Sequence, residues 1–387
     1  MTRTAVPDVV ELARTLIRIP SASGSEAAVA ACVADVMAAA GFDRVEVDAW
    51  GNVTGIRRGA RPGPTILFDG HMDVVDPGPE PWEHEPYGAE ITGGRLHGRG
   101  AADTKGSLAA ILCAAGSADR LCGDVVVAAT VCEENLTGVA LGHVLDHIHA
   151  DVVVTGEPTG LRLGVAQKGR ATIRLYASGR SAHTSRPDLG DNAAVKMIEA
   201  IGRLRSLPQA TDPELGTGIL ELVELASEPL PNQTLVPSGC RARFVARTLP
   251  GETPESFIDG LQAALSGLPG VTVSVETLRQ QCYTGAELEA VDFLPPWRCP
   301  PDDPWRLRIL AALVCAGLPP ETFAAPCGTN ASESAGRRGI PSFILGPGTL
   351  AEAHIADEWV AVADLIAAQK CYAAIIDTAV EPQKIDV

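Results

Sequence analysis

Residues 65 to 75, TILFDGHMDVV, decide the fold. Thr65 to Phe68 is a short β-branched and aromatic run between turn residues, the pattern of a buried strand. His71 and Asp73 follow it, so the strand delivers an imidazole and a carboxylate to its carboxyl end, the edge where open α/β sheets gather ligands. Two more all-apolar runs repeat this: VVVAATV at 125 to 131 enters CEEN, and DVVVT at 151 to 155 enters GEPT. Glu133, Glu134 and Glu157 therefore share a sheet edge with His71. Helical patterns at 106 to 116 and 138 to 148 separate these strands. Apolar strands alternating with helices predict an α/β fold, a mostly parallel sheet with helices on both faces.

Outward from this core, residues 7 to 18 and 25 to 40 read as amphipathic helices, with short strands at 45 to 47 and 53 to 56. A helix near 303 to 316, a strand at 341 to 345 and a helix at 360 to 378 complete the pattern. Between them the texture changes. ATIRLYA (171–177), RARFVAR (241–247) and VTVSVET (271–277) alternate polar with apolar residues, and helices fall near 191 to 205 and 254 to 266. This predicts a catalytic domain from residues 1–165 and 284–387, interrupted by an inserted α+β lid domain at 166–283. The final EPQKIDV reads as a frayed tail.

The 387 residues are 46% hydrophobic and 20% charged, an ordinary globular mixture. With 48 acidic against 31 basic residues the net charge is −17, which argues against nucleic acid or an anionic membrane as partner. No apolar run reaches the length of a membrane span or a signal peptide. The ten cysteines lack zinc-finger spacing and sit mostly in apolar runs, which fits a reducing cytoplasm. Walker, G-x-G-x-x-G and G-x-S-x-G motifs are missing, so nucleotide, hydride and serine-hydrolase chemistries lack their parts.

Taken singly, each polar residue at the sheet edge has an ordinary reading. Asp103, in GRGAADTKG, could cap the helix that follows it. Glu133 and Glu134 could form a solvated turn. Together with His354 in AHIADEWV, however, they make two imidazoles and three carboxylates, a donor set for two divalent ions such as zinc, with Glu133 left over as a base.

The runs GHMDVV, GRGAADTKG, CEEN, GEPT, SAHTSRPDLGDNA, PNQTLVPSGC, RTLPGETPE, CGTN and AHIADEWV, in this order, resemble the zinc aminoacylase, succinyl-diaminopimelate desuccinylase and glutamate carboxypeptidase group of metallopeptidases. The resemblance spans nearly the whole chain and is nearest an unassigned bacterial branch of peptidases. It implies two Zn2+ per chain, with Co2+ as a substitute. His71, Asp103 and Glu157 would hold one ion and Asp103, Glu134 and His354 the other. Asp73 would orient His71, and Glu133 would be the general base to a metal-bridged hydroxide. The lid would also make a homodimer, bringing His183 to the partner's site to stabilise the oxyanion, a role worth ~3 kcal/mol. Asn232 would assist, Arg247 would bind a substrate carboxylate, and Gly328, Thr329 and Asn330 would line the pocket.

Two departures accompany the resemblance. Val245 stands where the group often has an acidic partner for the arginine, and Asn330 replaces the Asp of Gly-Gly-Thr-Asp. The expected activity is hydrolysis of an amide in an N-acyl amino acid or short peptide. Cleavage of a ureido or carbamoyl nitrogen is an alternative, and a catalytically idle binding scaffold is another.

Overall fold

The computed structural model describes residues 6–119, 121–229 and 234–378. Asn232 and the EPQKIDV tail lie outside these residues. Four parallel strands form the centre of a nine-stranded sheet, in the order Val125–Thr130, Ile66–His71, Val152–Thr155 and Ser342–Ile344. Antiparallel strands flank them: Val53–Arg57 and Arg44–Val47 on one side, Leu163–Gln167 and Trp297–Arg298 on the other.

Alternation within the central strands explains why both faces are covered. Ile66, Phe68, Val125, Val127, Val152 and Val154 pack into the large core with the helices Val9–Ile17, Ala27–Ala39, Lys105–Ser117 and Val362–Thr378. Leu67, Val126, Ala128 and Val153 point the other way, against Leu141, Val144 and Leu145 of the helix Val139–Leu145. Each fully buried Val, Leu, Ile or Phe contributes roughly 1.5–3 kcal/mol. The helix Lys105–Ser117 is buried from Lys105 to Gly116, which explains its lack of a polar face. Asp8 starts the first helix by accepting from Val10 and Glu11 backbone N–H groups.

The central strand runs further than its apolar residues indicate. Pairing continues to His71 opposite Thr130, so His71 closes the strand instead of following it. The helix expected to reach 148 stops at Leu145.

The lid is a second sheet, with strands ordered Ile219–Glu228, Gly239–Arg247, Arg170–Ser178 and Val271–Val275, and Phe293–Leu294 also paired to Arg170–Ser178. Helices Ala193–Arg205 and Pro254–Ala264 cover one face around Phe244, Leu175 and Met197. The chain passes between the two sheets more than once around residue 283. That position falls in the turn of a hairpin, Thr277–Gln281 with Glu287–Val291, and Phe293–Leu294 still belongs to the lid sheet. The hairpin has the same alternating pattern as the lid strands, yet its Cys282 and Leu288 pack into the catalytic core.

Candidate metal centre

Six chemically active side chains meet at the carboxyl edge of the central sheet. His71 ends one strand, Glu133 and Glu134 follow the second, and Glu157 follows the third. Asp103 arrives just before the buried helix, and His354 arrives on the loop before the last helix. Asp103 Oδ1 lies 2.9 Å from His71 Nε2, and its Oδ2 lies 3.2 Å from His354 Nε2. One carboxylate thus faces both imidazoles, one oxygen to each. His354 Nε2 also lies 3.1 Å from Glu134 Oε1, while Glu133 Oε2 and Glu157 Oε1 are each 3.9 Å from His71 Nε2.

These donors fit divalent cations. The ligand atoms of His71, Asp103 and Glu134 lie within 4.8 Å of one another, as do those of His71, Glu133 and Glu157. Bonds of ~2.0–2.1 Å in a tetrahedral site put neighbouring donors ~3.3–3.4 Å apart, inside the spread observed. Asp103 is no helix cap: Thr104 occupies that position, and the Asp103 carboxylate turns toward the two histidines.

Electrostatics point the same way. Burial pushes the Glu133 carboxyl up to about 8, with the charges of Glu134, Asp73 and Asp103 adding to the effect and His71 opposing it. Glu157 is raised well above the usual range by burial and by the charges of Asp103 and Glu133. Hydrogen bonds to Asp103 and Glu134 carry the His354 imidazole up to about 10. Burial alone would lower His71, yet its bond to Asp103 and the nearby carboxylates hold it well above its ordinary value. Carboxylates crowded out of water, with protonated imidazoles their nearest compensation, are groups that a dication would neutralise.

Asp73 orients the site differently from expectation. His71 Nδ1 is 2.8 Å from the backbone carbonyl of Asp73, whereas the nearer Asp73 carboxylate oxygen is 3.6 Å away. With Nδ1–H donating to that carbonyl, Nε2 is the free ligand atom. The carboxylate instead accepts from the backbone N–H groups of Glu133 (3.0 Å) and Glu134 (3.1 Å) and from the Ser23 hydroxyl (2.7 Å), fixing the turn that carries both glutamates. The turn after the strand is tight enough for the chain's own carbonyl to reach the ring first.

Two residues without a predicted role hold the centre from behind. Glu358 is fully buried, and its Oε1 accepts from the backbone N–H groups of Ala102 (2.9 Å) and Asp103 (3.1 Å). Its Oε2 pairs with Arg99 Nη1 at 2.6 Å, also buried. The sequence signal was a glutamate four residues after His354, inside a run already quoted for its histidine.

The expected substrate residues divide. Arg247 is half-buried and its guanidinium donates no hydrogen bond among the described residues; burial, with the charge of Arg170, lowers its pKa from the ordinary value. His183 is exposed, with its Nδ1 2.8 Å from Ser185 Oγ. The side chains of Thr329 and Asn330 are both buried and bonded within the protein. The Thr329 hydroxyl donates to Gln167 at 2.8 Å. Asn330, 1% exposed, donates to both oxygens of Asp69 (3.3 and 3.1 Å) and accepts from the Gly138 N–H at 2.6 Å. Gly328 packs against Leu294, whose Cδ1 would lie 2.6 Å from a Cβ placed there. The asparagine is thus explained by Asp69, since an aspartate in its place would set two buried carboxylates face to face.

Comparison with known proteins identifies the family. The family model "Peptidase family M20/M25/M40" matches residues 67–378, and the chain belongs to that family. It is accordingly a metal-dependent hydrolase of amide bonds. The Escherichia coli K12 protein YgeY, uncharacterised by name, is 32% identical over 390 residues, covering 95% of this chain and 93% of its own. A succinyl-diaminopimelate desuccinylase from Rhodospirillum centenum is 34% identical over 288 residues, covering 68% and 74%. Among solved structures, aminopeptidase PepT from Bacillus cereus superposes with a TM-score of 0.77 at 21% identity, over 96% of this chain and 98% of that one. Bacillus subtilis YxeP, described as a dinuclear metal-binding peptidase, gives 0.69 at 14% identity over 95% and 96%. These likenesses confirm the fold: a mostly parallel catalytic sheet with a separate smaller domain.

Proposed function

We propose that the protein hydrolyses the amide bond of an N-acyl amino acid or a short peptide, using two zinc ions for which cobalt can substitute. One observation supports this above the others: the Asp103 carboxylate is shared between His71 and His354 while Glu133 stands beside it as a further carboxylate. His71, Asp103 and Glu157 would hold one ion, and Asp103, Glu134 and His354 the other. Such ions lower the pKa of water and polarise a carbonyl. Glu133 takes the proton from the attacking water and returns it to the leaving nitrogen. Arg247 receives a substrate carboxylate through its two-pronged guanidinium.

A homodimer through the lid belongs to the same proposal. The strand Ile219–Glu228 lies at the edge of its sheet and exposes Ile219, Val223 and Leu225, and the adjoining helix exposes Val195 and Ile198. A long exposed edge is a template for pairing with another chain. Joining two lids would let His183 of the partner subunit, with Asn232, reach the oxyanion. Light scattering after size exclusion tests this, and a monomer would leave His183 without a site. All ten cysteines are unpaired, in keeping with a reducing cytoplasm, and no helix among the described residues is long and apolar enough to cross a membrane.

The substrate test is a panel of N-acetyl, N-succinyl and N-carbamoyl amino acids with dipeptides. Cleavage confined to acyl or peptide amides supports the proposal, cleavage confined to carbamoyl compounds replaces it with ureido chemistry, and a metal-loaded protein inert on every member points to an idle scaffold.

A further inference from the structure

Catalytic domain and lid join at a narrow waist, where Gln167–Arg170, Arg247–Leu249 and Asp292–Pro295 run close together. Gly169 donates its N–H to the Thr248 carbonyl at 3.0 Å. A Cβ on Gly169 would lie 2.1 Å from Thr248 Oγ1 and 2.4 Å from the Leu294 carbonyl oxygen, so the three segments approach as closely as glycine permits.

The antiparallel register pairs Ala171 with Ala246, so one step further Arg170 stands opposite Arg247. Ala171 and Ala246 are buried against the lid helices, and side chains alternate along a strand. Both guanidiniums therefore leave the sheet on its other face. Like charges directly opposite one another across a sheet are destabilising. Asp292 offsets one of them, accepting from Arg170 Nη2 at 3.0 Å. One positive charge remains in excess. The Arg247 guanidinium donates no hydrogen bond among the described residues, and Arg170 Nε is buried without a partner there. The waist is also tied toward the metal centre: Lys168 donates its backbone N–H to the Ala325 carbonyl at 3.0 Å, Gln167 accepts from the Thr329 hydroxyl at 2.8 Å, and the next residue, Asn330, donates to Asp69 on the strand that ends at His71.

We propose that Arg170 is a specificity-determining residue that forms, with Arg247, a two-guanidinium subsite for one substrate carboxylate. Arg247 presents its fork to the carboxylate, and Arg170, held by Asp292, supplies the second cation. Asp292 thereby anchors Arg170, and the Arg247 guanidinium stays open to the substrate. The substrate class narrows to amides that carry a single carboxylate on the waist side of the scissile bond. This rests on the amide-hydrolase reading for the compound, but not for the anion site itself.

The test is therefore binding, measured calorimetrically on the full chain held metal-free by chelator so that nothing turns over. The probes are N-acetylglycine and N-acetylglycinamide. The wild type binds the acid and discriminates against the amide. Arg170→Gln weakens acid binding by about tenfold or more, the scale of a lost charge-assisted contact, and Asp292→Asn weakens it less. Arg170→Lys, which keeps the charge and loses the fork, lies between, and it serves as the test if the glutamine variant does not fold. In the metal-loaded enzyme Arg170→Lys raises KM for carboxylate substrates and leaves kcat nearly unchanged. Equal binding of acid and amide by the wild type, no binding of the acid, or undiminished acid binding in folded Arg170 variants would each overturn the proposal. Acid-selective binding without turnover of any amide would instead overturn the hydrolase substrate assignment and leave the subsite standing.

Discussion

Glu358 Oε1 accepts the backbone N–H of Asp103 at 3.1 Å across 255 positions of sequence. The loop that delivers His354 and the loop that delivers Asp103 are therefore tied to one buried carboxylate, which Arg99 neutralises. Removing one partner of a buried ion pair leaves the other charge uncompensated, at a cost of roughly 3–5 kcal/mol. Glu358→Gln should lower unfolding stability by about that amount. Misplacing the two proposed ligands should also weaken metal affinity by about 10–100-fold, the usual cost of losing an outer support. Denaturant unfolding and chelator competition check the two effects separately.

Glu133 is buried beside the proposed ligands, with its Oε2 3.9 Å from His71 Nε2. Glu133→Ala should reduce kcat by about 10²–10⁴-fold, the usual contribution of a general base, while both metal equivalents stay bound. Single-turnover assays and metal analysis of the same sample decide it. Undiminished turnover would remove Glu133 from the mechanism.

Asn330 and Asp69 form a buried amide–carboxylate pair at 3.1 Å, with the Thr130 hydroxyl also donating to Asp69. Burial pushes the Asp69 carboxyl up to about 6 despite these donors. Asn330→Asp should destabilise the fold by on the order of 2 kcal/mol, because a donor is lost and a second buried carboxyl gained. The exchanged pair, Asp69→Asn with Asn330→Asp, should recover most of it, a coupling that a double-mutant cycle in urea measures.

Metal affinity should rise with pH. In the metal-free chain His354, raised to about 10 by Asp103 and Glu134, is protonated at neutral pH and must lose that proton to bind a cation. The same raised value stabilises the metal-free fold below the ordinary imidazole pKa of about 6.5, and this contribution disappears as pH climbs toward about 10. Chelator competition at successive pH values should show affinity gaining about tenfold per unit for each proton displaced. Affinity independent of pH would contradict the placement of His354 among the ligands.

The parallel core was legible because strands buried on both faces are continuous apolar runs, and a polar residue ending such a run, as Glu157 does, stands out. His71 and Glu133 were legible for the same reason. The support was not. A short motif cannot tell whether Asp73 meets the imidazole with its carboxylate or its carbonyl, and here the carbonyl is nearer. Arg99 and Glu358 lie 259 positions apart, and each alone reads as an ordinary surface charge. Asn330 showed only a missing charge, because its partner Asp69 sits in a strand of otherwise apolar appearance. The hairpin at 277 to 291 misled through a pattern identical to that of the lid strands.

The most direct test strips the purified chain with chelator, then adds cobalt or zinc in steps while following cleavage of N-acyl amino acids. The proposed centre requires activity to return and to saturate at about two equivalents per chain, as shared ligation through Asp103 demands. A stripped protein that keeps full activity, or one that binds no metal and regains none, would contradict it.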